Sequence, residues 1–304
     1  MSKVLAVTGL TGKKSGGGTL CVFNEHKNEI LSKFPDGIKA IVQKHSDTSA
    51  IDKVSLPIQK CVGEIADEHF LRETLTGVDT VLHIAGIMLS KGIVDAAVKC
   101  KVRRIICVHT TGIYSKYKEA GEEYRKIDAY VEKQCALNNI ALTILRPTMI
   151  YGNIYDNNVV KFIAMVDKLP FMPVVNNARY ALQPVHYMDL SEAYYQVVMR
   201  EETIGRNYNL SGGEPIFLRD MLIVIGKNLG KKVRFISCPF EIAYAGACLI
   251  YGLSFKKIDY REKVQRLCEP RVYQHDDAKR DFGYSPRAFE VGIIDEVKAY
   301  KDAR

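Results

Sequence analysis

Val7-Thr8-Gly9-Leu10-Thr11-Gly12-Lys13-Lys14-Ser15-Gly16-Gly17-Gly18 is the segment from which the architecture of this 304-residue chain can be read. A β-branched run, residues 3–8 (KVLAVT), leads into it, and an amphipathic stretch from about Thr19 to Phe34 leads out. The order is strand, glycine-rich turn, helix. Glycine lets a backbone turn tightly and approach a pyrophosphate, while the helix N-terminus behind it offers free N–H donors and a positive dipole end. Glycines alone mark many ordinary loops; the setting after a first strand and before a helix is what reads as a dinucleotide cradle.

The same alternation continues outward. Asp36-Gly37 is a turn, and residues 38–43 (IKAIVQ) read as a second strand. Residues 55–62 form a weaker strand and 67–75 a helix; strands follow at 79–84, 104–109 and 140–145, with helices at 88–100 and about 119–137. Alternating strands and helices predict a parallel sheet covered on both faces by right-handed crossovers. The run RIICVH is apolar throughout, as a doubly covered strand requires. After Arg146-Pro147 the rhythm breaks. A helix is expected at about 157–168, a short strand at 184–186, and a further helix with Asp189 at or near its N-cap. A last short strand is expected at 233–237. There is no internal repeat.

Bulk properties narrow the function classes. Hydrophobic residues make up 47% and charged residues 26%, enough for a sizeable core. The formal charge of +8 favours anionic ligands, but Lys and Arg are scattered without a run of five, so no nucleic-acid partner is expected. Eight cysteines show no CxxC pair and no zinc spacing, which predicts reduced, structural thiols and no metal. Met1-Ser2-Lys3 runs straight into the first strand, with no signal peptide, and a cytoplasmic location is expected. The longest apolar stretch, 239–253, contains Glu241 and is shorter than the ~20 residues that span a bilayer. It reads as a buried helix covering a substrate cleft; with only Lys256 and Lys257 beside it, membrane association is not expected.

The glycine segment resembles the TGxxGxxG turn of the extended and atypical branches of the short-chain dehydrogenase/reductase superfamily, specifically the NAD-dependent epimerase/dehydratase-like members. It departs at the third glycine, where Ser15 stands and Gly16 follows; one inserted residue at Lys13-Lys14 restores the register. Further segments resemble the family in order along nearly the whole chain. Asp79–Gly86 is similar to its D-x-V-x-H-x-A-G strand, His109–Tyr114 to SS-x-x-x-Y, and Arg146–Gly152 to RPxxxYG. Residues 184–190 and 208–212 resemble its later strands, and Phe282–Pro286 resembles its LGYxP signature. The resemblance implies an α/β chain, with a Rossmann-type doubly wound parallel sheet and a smaller, mostly helical C-terminal substrate domain. The dinucleotide-binding domain spans 1–152 with returning segments at about 181–190 and 206–213. The smaller region spans about 153–180 and 214–304.

On that resemblance the cofactor is held by Gly9, Thr11, Gly12, Lys13, Ser15 and Gly16 in the turn. Gln43, Lys44, Glu64, Ile84, Ala85, Gly86 and Pro147 complete the set. The second strand ends in Gln43-Lys44-His45 with no carboxylate before Asp47, which favours NADP(H) over NAD(H). His83 reads as a satisfied core or cofactor-adjacent histidine, and His275-Asp276-Asp277 as a helix start. Arg266 and Arg271 lie where the family often contacts a substrate phosphate, although an ordinary surface role fits them equally.

The family's chemistry uses a Ser/Thr hydroxyl and a Tyr-x-x-x-Lys pair. Thr110, four residues before Tyr114, matches the hydroxyl. Anchoring on Glu132 places Tyr124 at the tyrosine position and Asp128 at the lysine position, where a carboxylate raises rather than lowers a tyrosine pKa. Tyr114 to Lys118 does spell Y-x-x-x-K, but it directly follows a strand and reads as a decoy; Tyr114 and Tyr187 remain further candidates. Two readings follow. One is an NAD(P)-dependent epimerase, dehydratase or reductase acting on a nucleotide-linked sugar or a similar carbonyl or hydroxyl substrate through a degenerate site. The other is a non-catalytic NADP(H)-binding sensor. A homodimer is expected by analogy.

Overall fold

Strands β1 (Leu5–Thr8), β2 (Ile38–Val42), β3 (Ile58–Val62), β4 (Thr80–His83), β5 (Arg104–Val108) and β6 (Ala141–Pro147) join a seventh, Asn207–Leu210, in one parallel sheet. The computed structural model describes residues 2–304. The spatial order is seventh–β6–β5–β4–β1–β2–β3, with Leu5 opposite Ile38 on one side and Thr80 on the other. The chain leaves β1 toward β2 and β3, then crosses back to β4. The crevice beyond the carboxyl ends of β1 and β4 is therefore the topological switch point, where such sheets bind ligands.

Alternation along the strands builds two cores. Leu5 and Val7 pack with Leu20, Phe23, Tyr194 and Tyr195 on one face. Ala6 and Val81 pack with Ile93, Ile105 and Val131 on the other. All five residues of β5 are buried, Arg104 included, whose guanidinium donates to the Val197 carbonyl at 3.0 Å and to Thr203 Oγ1 at 2.7 Å. A third cluster, including Val159, Ile163, Met221, Ile225, Phe289 and Ile293, holds the second half of the chain together.

Several local expectations are corrected. The stretch expected as one helix after the glycine turn is two, α1 (Gly16–Glu25) and Lys27–Lys33. The break falls at His26, whose ring stacks on Tyr195 at 4.2 Å. Asp189 does not cap its helix. Tyr187–Met199 is capped by His186, whose Nδ1 accepts the Met188 amide at 3.3 Å. Asp189, in the first turn, instead accepts the Arg287 amide and guanidinium, both at 2.9 Å. The apolar helix Phe240–Leu253 is not buried over a cleft: Ala247 is its one buried residue. Among the described residues, no helix is long and apolar enough to cross a membrane.

The C-terminal helix Phe289–Asp302 reaches back to the loop after β6 through a buried acid. Glu296 Oε2 accepts the Gly152 amide at 2.7 Å. Asp156 lies beside it and accepts the Val159 amide at 2.7 Å, capping helix Val159–Lys168. Burial, reinforced by Asp156, pushes the Glu296 carboxyl up to about 10. Folded Glu296 thus keeps its proton up to about pH 10, whereas the unfolded side chain releases it near 4.5. Across that window the native state binds more protons than the unfolded state, so this group's contribution to stability falls as pH rises. Glu296→Gln keeps a neutral side chain at this position. Thermal melts from about pH 5 to 9 should show a shallower decline for the variant than for the wild type; parallel curves would refute the buried proton.

Candidate functional site

At the switch point the glycine turn is shaped by contacts no side chain could tolerate. Gly9 has φ +85°, and a Cβ there would stand 2.9 Å from the Ala85 amide nitrogen. A Cβ on Gly16 would stand 2.0 Å from the Gly9 carbonyl oxygen, inside any possible contact. Gly12 donates its amide to that same oxygen at 2.9 Å. Gly16, not Ser15, therefore fills the role of the third glycine. The insertion is absorbed by Lys13 and Lys14, which bulge between Gly12 and the start of α1. The amides of Lys13, Lys14 and Ser15 have no acceptor among the described residues, as a turn that cradles phosphate requires.

The floor of the crevice is held by His83. Its Nδ1 meets Thr8 Oγ1 at 2.7 Å and its Nε2 meets the Gly86 carbonyl at 3.1 Å. Burial pushes its pKa down to about 4 and His109 adds to the shift, so the ring is neutral at physiological pH. A neutral ring can accept the Thr8 hydroxyl and donate to Gly86, which fixes Gly86 at φ +115°. The core reading of His83 holds.

A cleft of about 680 Å³ opens over this floor. Gly9, Thr11, Gly12, Lys13, Ser15, Gly16, Gln43, Ile84, Ala85, Gly86 and Pro147 all line it. Lys44 and Glu64 do not; Lys44 is exposed, and Glu64 accepts the Gln43 amide side chain at 3.3 Å from outside the lining. Lys14, beside Lys13 in the turn, lines it too; sequence reasoning missed Ile41, Ser46, Ile65, Leu89, Val108, His109, Ile150, Tyr155 and Tyr194. Tyr155 belongs to the loop after Gly152, and its ring lies 4.7 Å beneath the Lys13 ammonium. Asn153 on the same loop donates to the Lys14 carbonyl at 3.0 Å. No local pattern announces that this loop closes over the turn.

A second cavity of about 350 Å³ adjoins the first and shares Lys14 and Ile150 with it. Thr110, Ser115, Lys118, Gln183, Arg266, Arg271 and Tyr273 are among its walls. Glu269 pins the arginine-bearing segment in place, accepting Ser115 Oγ at 2.6 Å and the Lys116 amide at 2.8 Å. Arg266 and Arg271 each keep a buried Nε with no hydrogen-bond partner. Desolvation, with Arg266 alongside, pushes the Arg271 pKa down to about 10. Two adjacent, incompletely paired guanidiniums on a cavity wall form a receptor for an anion.

Behind His109, which lines the larger cleft, stands the position where the resemblance places a lysine. Asp128, on helix Gly121–Leu137, is buried and pairs with both His109 Nδ1 and Arg146 Nη2. Burial pushes its carboxyl up, but the His109 and Arg146 hydrogen bonds outweigh that and hold it below the ordinary carboxylate range. His109 Nε2 meets Ser90 Oγ at 3.1 Å, so both ring nitrogens are engaged. Thr110 lines the second cavity, its hydroxyl accepting the Gly112 amide at 3.0 Å. Tyr124 lies against Gly112 beside it, behind the lining of both cavities. Lys118, discounted in the sequence, lines the cavity and sets its ammonium 5.8 Å from the Tyr124 ring centre. Counting four residues along a helix could not find a lysine that arrives from the preceding loop.

No family model and no curated protein matches the chain. Solved structures do. A protein described as gox2253 is 21% identical with a TM-score of 0.76, covering 99% of each chain. A nucleoside-diphosphate-sugar epimerase from Pseudomonas aeruginosa is 16% identical with a TM-score of 0.74, covering 100% of this chain and 99% of its own. A dTDP-glucose 4,6-dehydratase from Streptomyces venezuelae, solved with NAD bound, is 16% identical with a TM-score of 0.72, covering 99% and 98%. At these identities the likeness establishes a shared fold: a seven-stranded Rossmann-type α/β architecture along essentially the whole chain.

The Asp128 cluster predicts its own mutational behaviour. Removing one partner of a buried ion pair leaves the other charge uncompensated, at about 3 kcal/mol or more. Asp128→Lys, which restores the expected residue type, would set an ammonium against the buried Arg146 guanidinium with no carboxylate between them. Both Asp128→Asn and Asp128→Lys should lower the melting temperature by several degrees, with lysine the worse. A lysine variant as stable as the wild type would contradict the arrangement.

Proposed function

We propose that the chain binds NADP(H) in the larger cleft and a nucleotide-linked sugar, or a related anionic carbonyl or hydroxyl compound, in the adjoining cavity. Residues 1–152, with the returning segments at about 181–190 and 206–213, supply the dinucleotide half. Most of the remainder shapes the substrate side. The observation that carries this reading is the pair Arg266 and Arg271, two guanidinium-bearing side chains on the wall of a cavity that adjoins the glycine-turn cleft. Neighbours of the same fold, titled as a nucleoside-diphosphate-sugar epimerase and a dTDP-glucose 4,6-dehydratase with NAD bound, support the substrate and cofactor classes. The preference for the 2′-phosphorylated cofactor rests on Lys13 and on a second-strand end without a carboxylate.

Bound NADP(H) supplies the hydride donor or acceptor. Thr110 orients the reacting oxygen. Tyr124, whose ring centre lies 5.8 Å from the Lys118 ammonium, exchanges the proton once its hydroxyl reaches the cavity. A second reading has a specific observation behind it: Asp128, locked to Arg146 and His109, occupies the place of the usual lysine. That favours a cofactor-binding module without turnover.

One set of measurements separates them. NADPH oxidation is followed with a panel of 4-keto sugar nucleotides, alongside binding of UDP- and dTDP-sugars. Arg271→Ala should weaken sugar-nucleotide binding about tenfold or more, as loss of a charge-assisted phosphate contact does, and leave NADPH affinity unchanged. Turnover that collapses in Tyr124→Phe supports the enzyme. Tight NADPH binding with neither turnover nor sugar-nucleotide binding supports the sensor.

A further inference from the structure

Helix Phe240–Leu253 turns a continuous apolar stripe to solvent. Ile242, Ala245, Leu249 and Leu253 recur at the spacing of one helix face, opposite buried Ala247. Exposure rises toward the C-terminal end, reaching 72% at Leu253 and 87% at Phe255. Phe255 and Lys256 hold the left-handed backbone, φ 51° and 65°, a conformation disfavoured for such side chains. That strained turn projects the most exposed large apolar residue among the described residues beyond the helix end. The base is firm: helix Arg261–Leu267 packs behind it, with the Arg261 guanidinium 3.7 Å over the Tyr251 ring.

We propose that this protruding helix end docks on an anionic lipid surface. Charge argues for the occupant. Lys256 and Lys257 follow Phe255, and no acidic residue occurs from 242 to 258; beside an uncovered apolar tip these two lysines reverse the expectation, drawn from the sequence alone, of no membrane association. Shape argues for it too: a convex apolar tip enters a fluid surface directly, whereas a rigid protein partner would need a matching pocket. The length suits lying in the interface, since fourteen residues cover about 21 Å, short of the ~30 Å hydrocarbon core. Apolar insertion combined with neighbouring lysines is how short interfacial helices hold anionic membranes. The supporting helix Arg261–Leu267 also carries Arg266 to the substrate cavity, so docking would set that cavity near the lipid surface.

The test is flotation of the full chain with vesicles of phosphatidylcholine alone and of phosphatidylcholine with one-third phosphatidylserine, together with light scattering in solution. The wild type should float with the anionic vesicles and stay behind with the neutral ones. Phe255→Glu should abolish flotation, and Lys256→Glu/Lys257→Glu should weaken it roughly tenfold or more, given the worth of each lysine near a charged leaflet. All of these substitutions are exposed and should leave melting temperature and NADPH binding unchanged. The proposal is overturned if the wild type does not float, or floats equally with both vesicle types. It is also overturned if the chain is a dimer in solution that Leu253→Glu makes monomeric, which assigns the stripe to a second copy.

Discussion

Three backbone segments meet at the end of β1 at distances that exclude any Cβ. Gly9, Gly16 and the Ile84–Ala85 peptide are packed so closely that α1 must begin where it does, with its first amides turned to the crevice. The parallel sheet supplies the crevice by reversing strand order between β1 and β4. His83, neutral and held from both ring nitrogens, fixes the opposite lip. The proposed function requires that close approach, because it converts a surface groove into a place where two linked phosphates can meet main-chain donors.

Around this conventional cradle the acid–base apparatus is rearranged. Asp128 could not be tolerated at a lysine's position by itself; a buried carboxylate needs partners. Arg146 at the end of β6 and His109 at the end of β5 provide them, so two departures from the pattern this chain resembles, Asp128 and His109, join the motif's own Arg146 in one compensated unit. The cation that remains near Tyr124 comes instead from Lys118, on the loop before the helix. On the proposed function, the groups for proton transfer come in a different order along the chain.

How much of this could be read beforehand depends on the range of the interactions involved. The strands and most helices of the sheet were legible, since apolar runs, glycines and turn residues act within a few positions of themselves. The cradle was legible for the same reason, including the inserted residue before Gly16. What was not legible depends on partners far along the chain. Asp189 reads as a helix cap but is taken by Arg287, nearly a hundred residues away, leaving His186 to cap. Lys44 and Glu64 carry suitable chemistry at strand ends yet stand outside the cleft, while Tyr155 enters it through a loop without a motif. The stretch 239–253 has the composition of a core helix, and nothing local reveals that the fold leaves one face uncovered.

The most direct test of the account is calorimetric titration of the wild-type chain with NADPH, NADP+, NADH and NAD+. Saturable one-to-one binding is predicted, tighter for the phosphorylated pair and lost in Gly16→Ala, whose side chain has no room beside the Gly9 carbonyl. Absence of binding by all four nucleotides would contradict it.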